Sequence, residues 1–317
     1  AFRVFDAPDA YLANYRSVDG TRFIADFTYT GDNERPGAML TVWMKKAEEK
    51  TENDEAKEDK KKEDRKKQDK VKVEVFTTYG EKIRTFTSDI DTGITRIYWG
   101  LRRDGVKYPS RRPERPGQDG PVGHDVLPGT YKLVLTYGKH KDSTDVTVHQ
   151  DPRRVIPMED LQALDAVYAE FYGIVELATK GFDQLQEAKK TIKRVEETLV
   201  TAPDSTQKEI KKLGKSITKK IEELEKKYML PDGLKGIQRV SDNLNSTLRS
   251  TSAYLRALEG PPNQAANRMV ARSKAETNAV IEAINTFLES DFKDYRKKVE
   301  ALEFSLFKPM EPLGEKE

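Results

Sequence analysis

Two hydrophobic periods share this chain, and they change over at one place. Up to about Pro152 apolar residues recur at every second position; from Met158 onward they recur every three or four. A period of two belongs to a half-buried strand, and a period near 3.6 belongs to an amphipathic helix. One layer cannot satisfy both, so the chain is read as α+β and multidomain, strands first and helices second.

The strand half is anchored by Gly93-Ile-Thr-Arg-Ile-Tyr-Trp-Gly-Leu-Arg-Arg-Asp-Gly105 and its echo at Leu127-Pro-Gly-Thr-Tyr-Lys-Leu-Val-Leu135. Thr95, Ile97, Trp99 and Leu101 fall on one face and Ile94, Arg96, Tyr98 and Gly100 on the other, so the Trp99 face is read as core. Further strands are expected at Arg22–Thr28, at Ala38–Lys45 after Pro36-Gly37, at Val71–Tyr79, and at Lys82–Phe86 after the turn at Gly80-Glu81. Thr130–Gly138 and Ser143–Gln150 form the last hairpin, and Pro152 ends the β region. Such strands, with a polar loop at Tyr108–Asp125, describe an antiparallel β-sandwich. Lys45–Lys72 interrupts it with twelve basic and ten acidic residues among 28, a mixture that cannot bury a face of its own.

In the helical half, Leu161, Leu164, Tyr168, Phe171, Val175, Ala178, Phe182, Leu185, Ile192 and Leu199 form a heptad seam. It implies a helix of roughly 60 Å at 1.5 Å per residue. Ala202-Pro203 stops it, and Asp204 or Ser205 is expected to cap a second helix with core line Ile210, Leu213, Ile217, Ile221, Leu224 and Tyr228. A third segment runs from Leu234 to Leu258, and a fourth from about Asn263 to Phe304. Four such helices joined by short breaks pack most simply as an antiparallel four-helix bundle.

The chemistry-bearing residues are sparse. The chain has no cysteine, which removes disulfides, thiolate catalysis and zinc–sulfur sites, and its three histidines (His124, His140, His149) show no metal-ligand spacing. No phosphate loop, dinucleotide fingerprint or nucleophile elbow occurs, so no catalytic, metal or cofactor residue is expected. With 56 basic against 54 acidic residues there is no lopsided field for nucleic acid, and no apolar run is long enough to span a membrane. The local charge is another matter. Between Lys208 and Lys220 six lysines stand against Glu209 alone, which makes Lys208, Lys211, Lys212, Lys215 and Lys219 candidates for contact with an anionic partner. Tyr172, beside the heptad seam, and Arg111, Arg112 and Arg115, in the proline- and glycine-rich loop, complete the candidate partner-binding set.

Several of these pieces occur in an order that resembles one family: Ala38-Met-Leu-Thr-Val-Trp-Met44 after Pro-Gly, the charged excursion, Val73-Glu-Val-Phe76, Gly80-Glu-Lys-Ile-Arg-Thr-Phe86, the Trp99 strand, Leu127-Pro-Gly-Thr-Tyr131, Asp151-Pro-Arg153 and a terminal Glu311-Pro-Leu313. The set resembles the C-terminal region of bacterial sortilin-like proteins, often described as glycosyl hydrolases for their neuraminidase-type propeller repeats. The β part also looks like the immunoglobulin-like domain of the flagellar hook-capping protein. Gly100 stands where that family's strand usually has Asp, and the propeller is missing from these residues. The resemblance implies an immunoglobulin-like β-sandwich over 36–153 with the charged insertion at 45–72, a helical bundle over 154–317, and residues 1–35 as an extended lead-in from the propeller. It also implies export to the periplasm or cell surface of a bacterium; the opening Ala1-Phe-Arg-Val-Phe5, with no initiator Met and no signal-peptide pattern, is itself read as that of a mature or excised fragment. The expected role is a non-catalytic module docking the propeller to a protein partner in a larger outer-membrane complex. The alternative is an accessory glycan-contacting region of a glycoside hydrolase.

Overall fold

A computed structural model describes residues 1–13, 35–45, 69–113, 115–199, 203–231, 233–234, 243–258 and 260–302. The strand expected at Arg22–Thr28, most of the charged insertion, residues 235–242 of the third helical segment and the Glu311-Pro-Leu313 element lie outside the described residues. The chain is α+β. It divides into two units, one of Ala1–Val106 with Arg115–Asp165, the other of Lys107–Glu114 with Ala166–Glu317.

In chain order the strands of the first unit are β1 (Phe2–Val4), β2 (Ala10–Leu12), β3 (Ala38–Met44), β4 (Asp69–Thr77), β5 (Lys82–Ile90), β6 (Gly93–Trp99), β7 (Arg102–Asp104), β8 (Val122–Asp125), β9 (Gly129–Tyr137) and β10 (His140–Gln150). They form a three-stranded sheet β1-β3-β6, a five-stranded sheet β2-β10-β9-β4-β5 and a small β7-β8 pair. Every pairing is antiparallel except β2, which runs parallel to β10. The first twelve residues thus give a strand to each larger sheet, so the described part of the expected lead-in is paired chain of this unit.

One hydrophobic cluster draws on both sheets, joining Leu40 and Val42 of β3, Ile97 and Trp99 of β6, Val73 and Val75 of β4, and Leu133 and Leu135 of β9. Trp99 is 2% exposed. Its ring meets Tyr131 edge-on at 5.3 Å, and its Nε1 donates to the Arg102 carbonyl at 3.1 Å. Gly37 sets the start of β3: its φ is +115°, and a Cβ there would lie 2.5 Å from the Trp99 carbonyl oxygen. Strand β4 begins at Asp69, inside the charge-rich run, because Val71 and Val73 are buried while Lys70 and Lys72 point to water. Alternation prevails over local composition there. The loop expected to reach Asp125 ends instead in β8, and Arg84 pins it by donating to Asp104 at 2.7 Å and to the Pro121 carbonyl at 2.9 Å.

The helices are α1 (Met158–Thr198), α2 (Asp204–Tyr228), α3 (Leu244–Arg256), α4 (Gln264–Phe287) and α5 (Lys293–Glu300). The α1 seam buries Phe171, Val175, Ala178, Phe182, Leu185 and Ile192, while Leu161 and Leu164 are only half-buried. Asn243 and Asn263 cap α3 and α4, each accepting a backbone N–H at 2.9 Å. Helix α2 lacks the side-chain cap expected from Asp204 or Ser205: Pro203 is its N-cap, and Asp204 sits in the first turn, where it complements the helix dipole. The fourth helix is not continuous, because a π-helical turn, Leu288–Phe292, separates α4 from α5. That extra residue moves the next buried position after Phe287 to Tyr295, eight residues on instead of seven.

Candidate interaction surface

Helix α2 buries Ile210, Gly214, Ile217, Ile221, Glu225 and Tyr228 along one side. The opposite side carries Lys208, Lys211, Lys212, Lys215 and Lys219, all exposed. Their spacing of i, i+3, i+4, i+7 and i+11 puts the five on one face, about 16 Å long at 1.5 Å per residue. None of the five has an ion pair among the described residues, whereas Lys220 bridges Asp291 at 2.6 Å. Several other exposed helical cations are paired, Arg194 with Glu187, Lys226 with Glu223, Arg272 with Glu276 and Arg296 with Glu300, while Lys180, Lys227, Arg268 and Lys297 have no ion pair among the described residues; what sets α2 apart is five such lysines on one face. Neighbours on this face, three or four residues apart, have Cβ atoms about 5–6 Å apart, inside the roughly 8 Å Debye length of physiological salt, so they repel and a carboxylate-rich partner relieves a cost already present.

The loop arginines separate. Arg111 is turned inward: it donates to the Leu230 carbonyl at 2.8 Å and lies 3.6 Å from Glu225, a side chain only 5% exposed. Gln186 and Lys189 hold the same carboxylate at 2.7 and 3.4 Å. Arg112 and Arg115 are exposed; Arg112 belongs with the helical unit and Arg115 with the strand unit. Tyr172 is half-buried, with its ring near those of Tyr168 and Phe171 at 5.9 and 6.3 Å, so it extends the aromatic packing of α1.

The histidines do not converge. His149 pairs with Asp9 at 2.8 Å, His124 pairs with Asp165 at 2.7 Å, and His140 is exposed. Asp165, on the second turn of α1 but still within the first unit, also receives Arg103 at 3.3 Å, and Arg103 reaches Glu81 at 2.9 Å. Burial pushes the Asp165 carboxyl up, but the His124 hydrogen bond and the charges of His124 and Arg103 outweigh it and hold it below the ordinary value. Burial raises the neighbouring Tyr131 to about 12, and its hydroxyl donates to the Leu127 carbonyl at 2.6 Å. This network was missed from sequence because its members are spread over 84 positions, from Glu81 to Asp165. Nothing in it separates an acid from a base across a cleft, as hydrolysis requires.

Among the described residues no group of three or more metal-ligating side chains is assembled, and no helix is long and apolar enough to cross a membrane. The outer face of the five-stranded sheet carries a shallow groove of about 480 Å³ between Phe76, Lys132, Val134 and Asp145. Tyr79, 97% exposed, stands in the turn beside it. No family model, curated protein or solved structure matches this chain.

Proposed function

We propose that the chain is a non-catalytic interaction module whose α2 lysine face docks an acidic protein partner. The observation that carries this reading is the set of five exposed lysines on one helix face, unpaired among the described residues and opposite the buried side of α2. In the resemblance from which it starts, the module belongs to an exported sortilin-like propeller protein of the bacterial envelope, joined to a larger outer-membrane complex. The strand unit is read as an immunoglobulin-like sandwich. Three features support that: a strand from the first twelve residues in each larger sheet, the buried Trp99, and a tyrosine near the start of the penultimate strand bonded back to the Leu127 carbonyl. The helices are read as an antiparallel four-helix bundle that holds the lysine face rigid.

The experiment assays the isolated chain against neuraminidase and glycosidase substrates and captures partners from an envelope extract. No turnover, together with a stoichiometric acidic partner lost when Lys211, Lys212 and Lys215 become Glu, is the expected result. Turnover abolished by a single Asp or Glu substitution contradicts the reading. One observation favours the second reading, contact with a glycan: Phe76 and the exposed Tyr79 at the sheet groove offer ring faces to a sugar. Oligosaccharide binding lost in Tyr79→Ala, with the lysine variants unaffected, selects it.

A further inference from the structure

Strand β3 carries large apolar residues on both faces, Met39 and Trp43 flanking Thr41 on the side away from the core, which a strand with one side in water does not need. Ala38, Leu40, Val42 and Met44 point into the core, each no more than 1% exposed. Met39, Thr41 and Trp43 point the other way, and the ladder sets them beside Tyr98, Arg96 and Ile94 of β6. Ile94, near the start of the outer strand β6, is 69% exposed. The charges on this face are of one sign: Arg3 lies in register with Trp43, Arg96 sits mid-strand, and the Arg35 guanidinium rests 5.6 Å from the Tyr98 ring centroid. None of the three has a carboxylate partner among the described residues.

The two sheets also treat their outer strands differently. On β5, the Thr87 N–H and hydroxyl are both taken by Asp119 at 3.0 Å, so that edge is stoppered. On β6, Asp91 and Thr95 bond locally at 3.1 Å, and beyond them the backbone pairs with β3 alone among the described residues. A ladder edge with no further strand among the described residues, beside an apolar, arginine-bearing face, has the form of a site for strand addition, where main-chain bonds supply affinity and alternate side chains supply specificity.

We propose that β6 receives an extended segment of a partner protein as an added strand, with an apolar residue beside Ile94, an Asp or Glu beside Arg96 and an apolar or aromatic residue beside Tyr98. The recognised pattern is therefore apolar-x-acidic-x-apolar, the same in either strand direction. A second copy of this chain fits badly, because antiparallel pairing of β6 with itself centred on Arg96 sets two guanidinium groups opposite each other. The competing role for Arg96 is a guard that keeps the edge from aggregating, and the two roles predict different behaviour. The site lies in the strand unit and does not depend on the α2 lysine face.

The test uses the full chain and the acetylated, amidated peptide Ser-Val-Thr-Glu-Thr-Phe-Ser. Trp43 is the reporter, because the only other tryptophan, Trp99, is buried. The proposal expects saturable binding, at least about tenfold weaker for the peptide with Lys in place of Glu and reversed in preference by Arg96→Glu. Methylating the peptide nitrogens along one edge abolishes binding, and methylating those along the other leaves it intact. The proposal is overturned by any of three results: no saturable signal, equal binding of the Glu and Lys peptides, or self-association of Arg96→Thr with no peptide bound by the parent chain.

Discussion

Trp99→Ala is the sharpest perturbation of the first unit. A tryptophan side chain buries roughly 150–250 Å², which at about 25 cal/mol per Å² amounts to some 4–6 kcal/mol as an upper estimate. The edge-on contact with Tyr131 adds about 0.5–1.5 kcal/mol, and the Arg102 carbonyl loses its indole donor. Partial collapse of the cavity returns some of this, so the expected loss is about 4 kcal/mol, within the range for large aromatic truncations. The assay is urea unfolding followed by tryptophan fluorescence. Both tryptophans, Trp43 and Trp99, lie in the strand unit, so Trp43 in the variant reports that unit without a signal from the helices. An unfolding free energy within about 1 kcal/mol of the parent refutes the reasoning, since surface substitutions fall inside that limit.

Glu225→Ala leaves Arg111 facing a cavity without its carboxylate and should cost roughly 3–5 kcal/mol in helix unfolding followed by far-UV circular dichroism; Arg112→Ala should cost less than about 0.5 kcal/mol. The strand unit should lose stability at both pH extremes. The Asp165 carboxyl is held lower in the folded state than its ordinary 3.8, so its contribution is present above that value and is lost as pH falls through the folded pKa. Asp165→Asn should flatten the acid limb of the urea midpoint. Tyr131 is raised from 10.0 to about 12, so its contribution is present below pH 10 and is lost as pH rises toward 12. Tyr131→Phe should flatten the alkaline limb.

The periods of two and 3.6 were enough to read the class, the Trp99 core face and the seam of α1, because burial on one face writes directly into sequence spacing. Spacing fails where a buried residue is polar or where both faces are apolar. Ser273 and Thr277 are fully buried on α4, and the buried Thr251 of α3 sets its hydroxyl 2.9 Å from that of Ser273. No hydrophobic count finds such residues: Thr251 and Ser273 satisfy each other, and the Thr277 hydroxyl is buried with no hydrogen-bond partner among the described residues. Met39 and Trp43 read as strand from sequence, but period two does not say that they are half-buried on the face away from the core. The π-helical turn carries neither Pro nor Gly to announce it. Of the candidate surface, the lysine face followed from helical spacing alone. The inward turn of Arg111 did not, because Glu225 lies 114 positions away in sequence.

The most direct test of the docking claim is the affinity of the full chain for its acidic partner across salt, for the parent and for Lys211→Glu/Lys212→Glu/Lys215→Glu. Each exposed ion pair is worth about 0.2–1 kcal/mol, and reversal adds repulsion to the lost attraction, so binding should weaken at least about tenfold. The salt dependence should shrink with it, while the unfolding midpoint stays unchanged, because all three lysines are exposed. An affinity and salt dependence equal to the parent's would contradict the account.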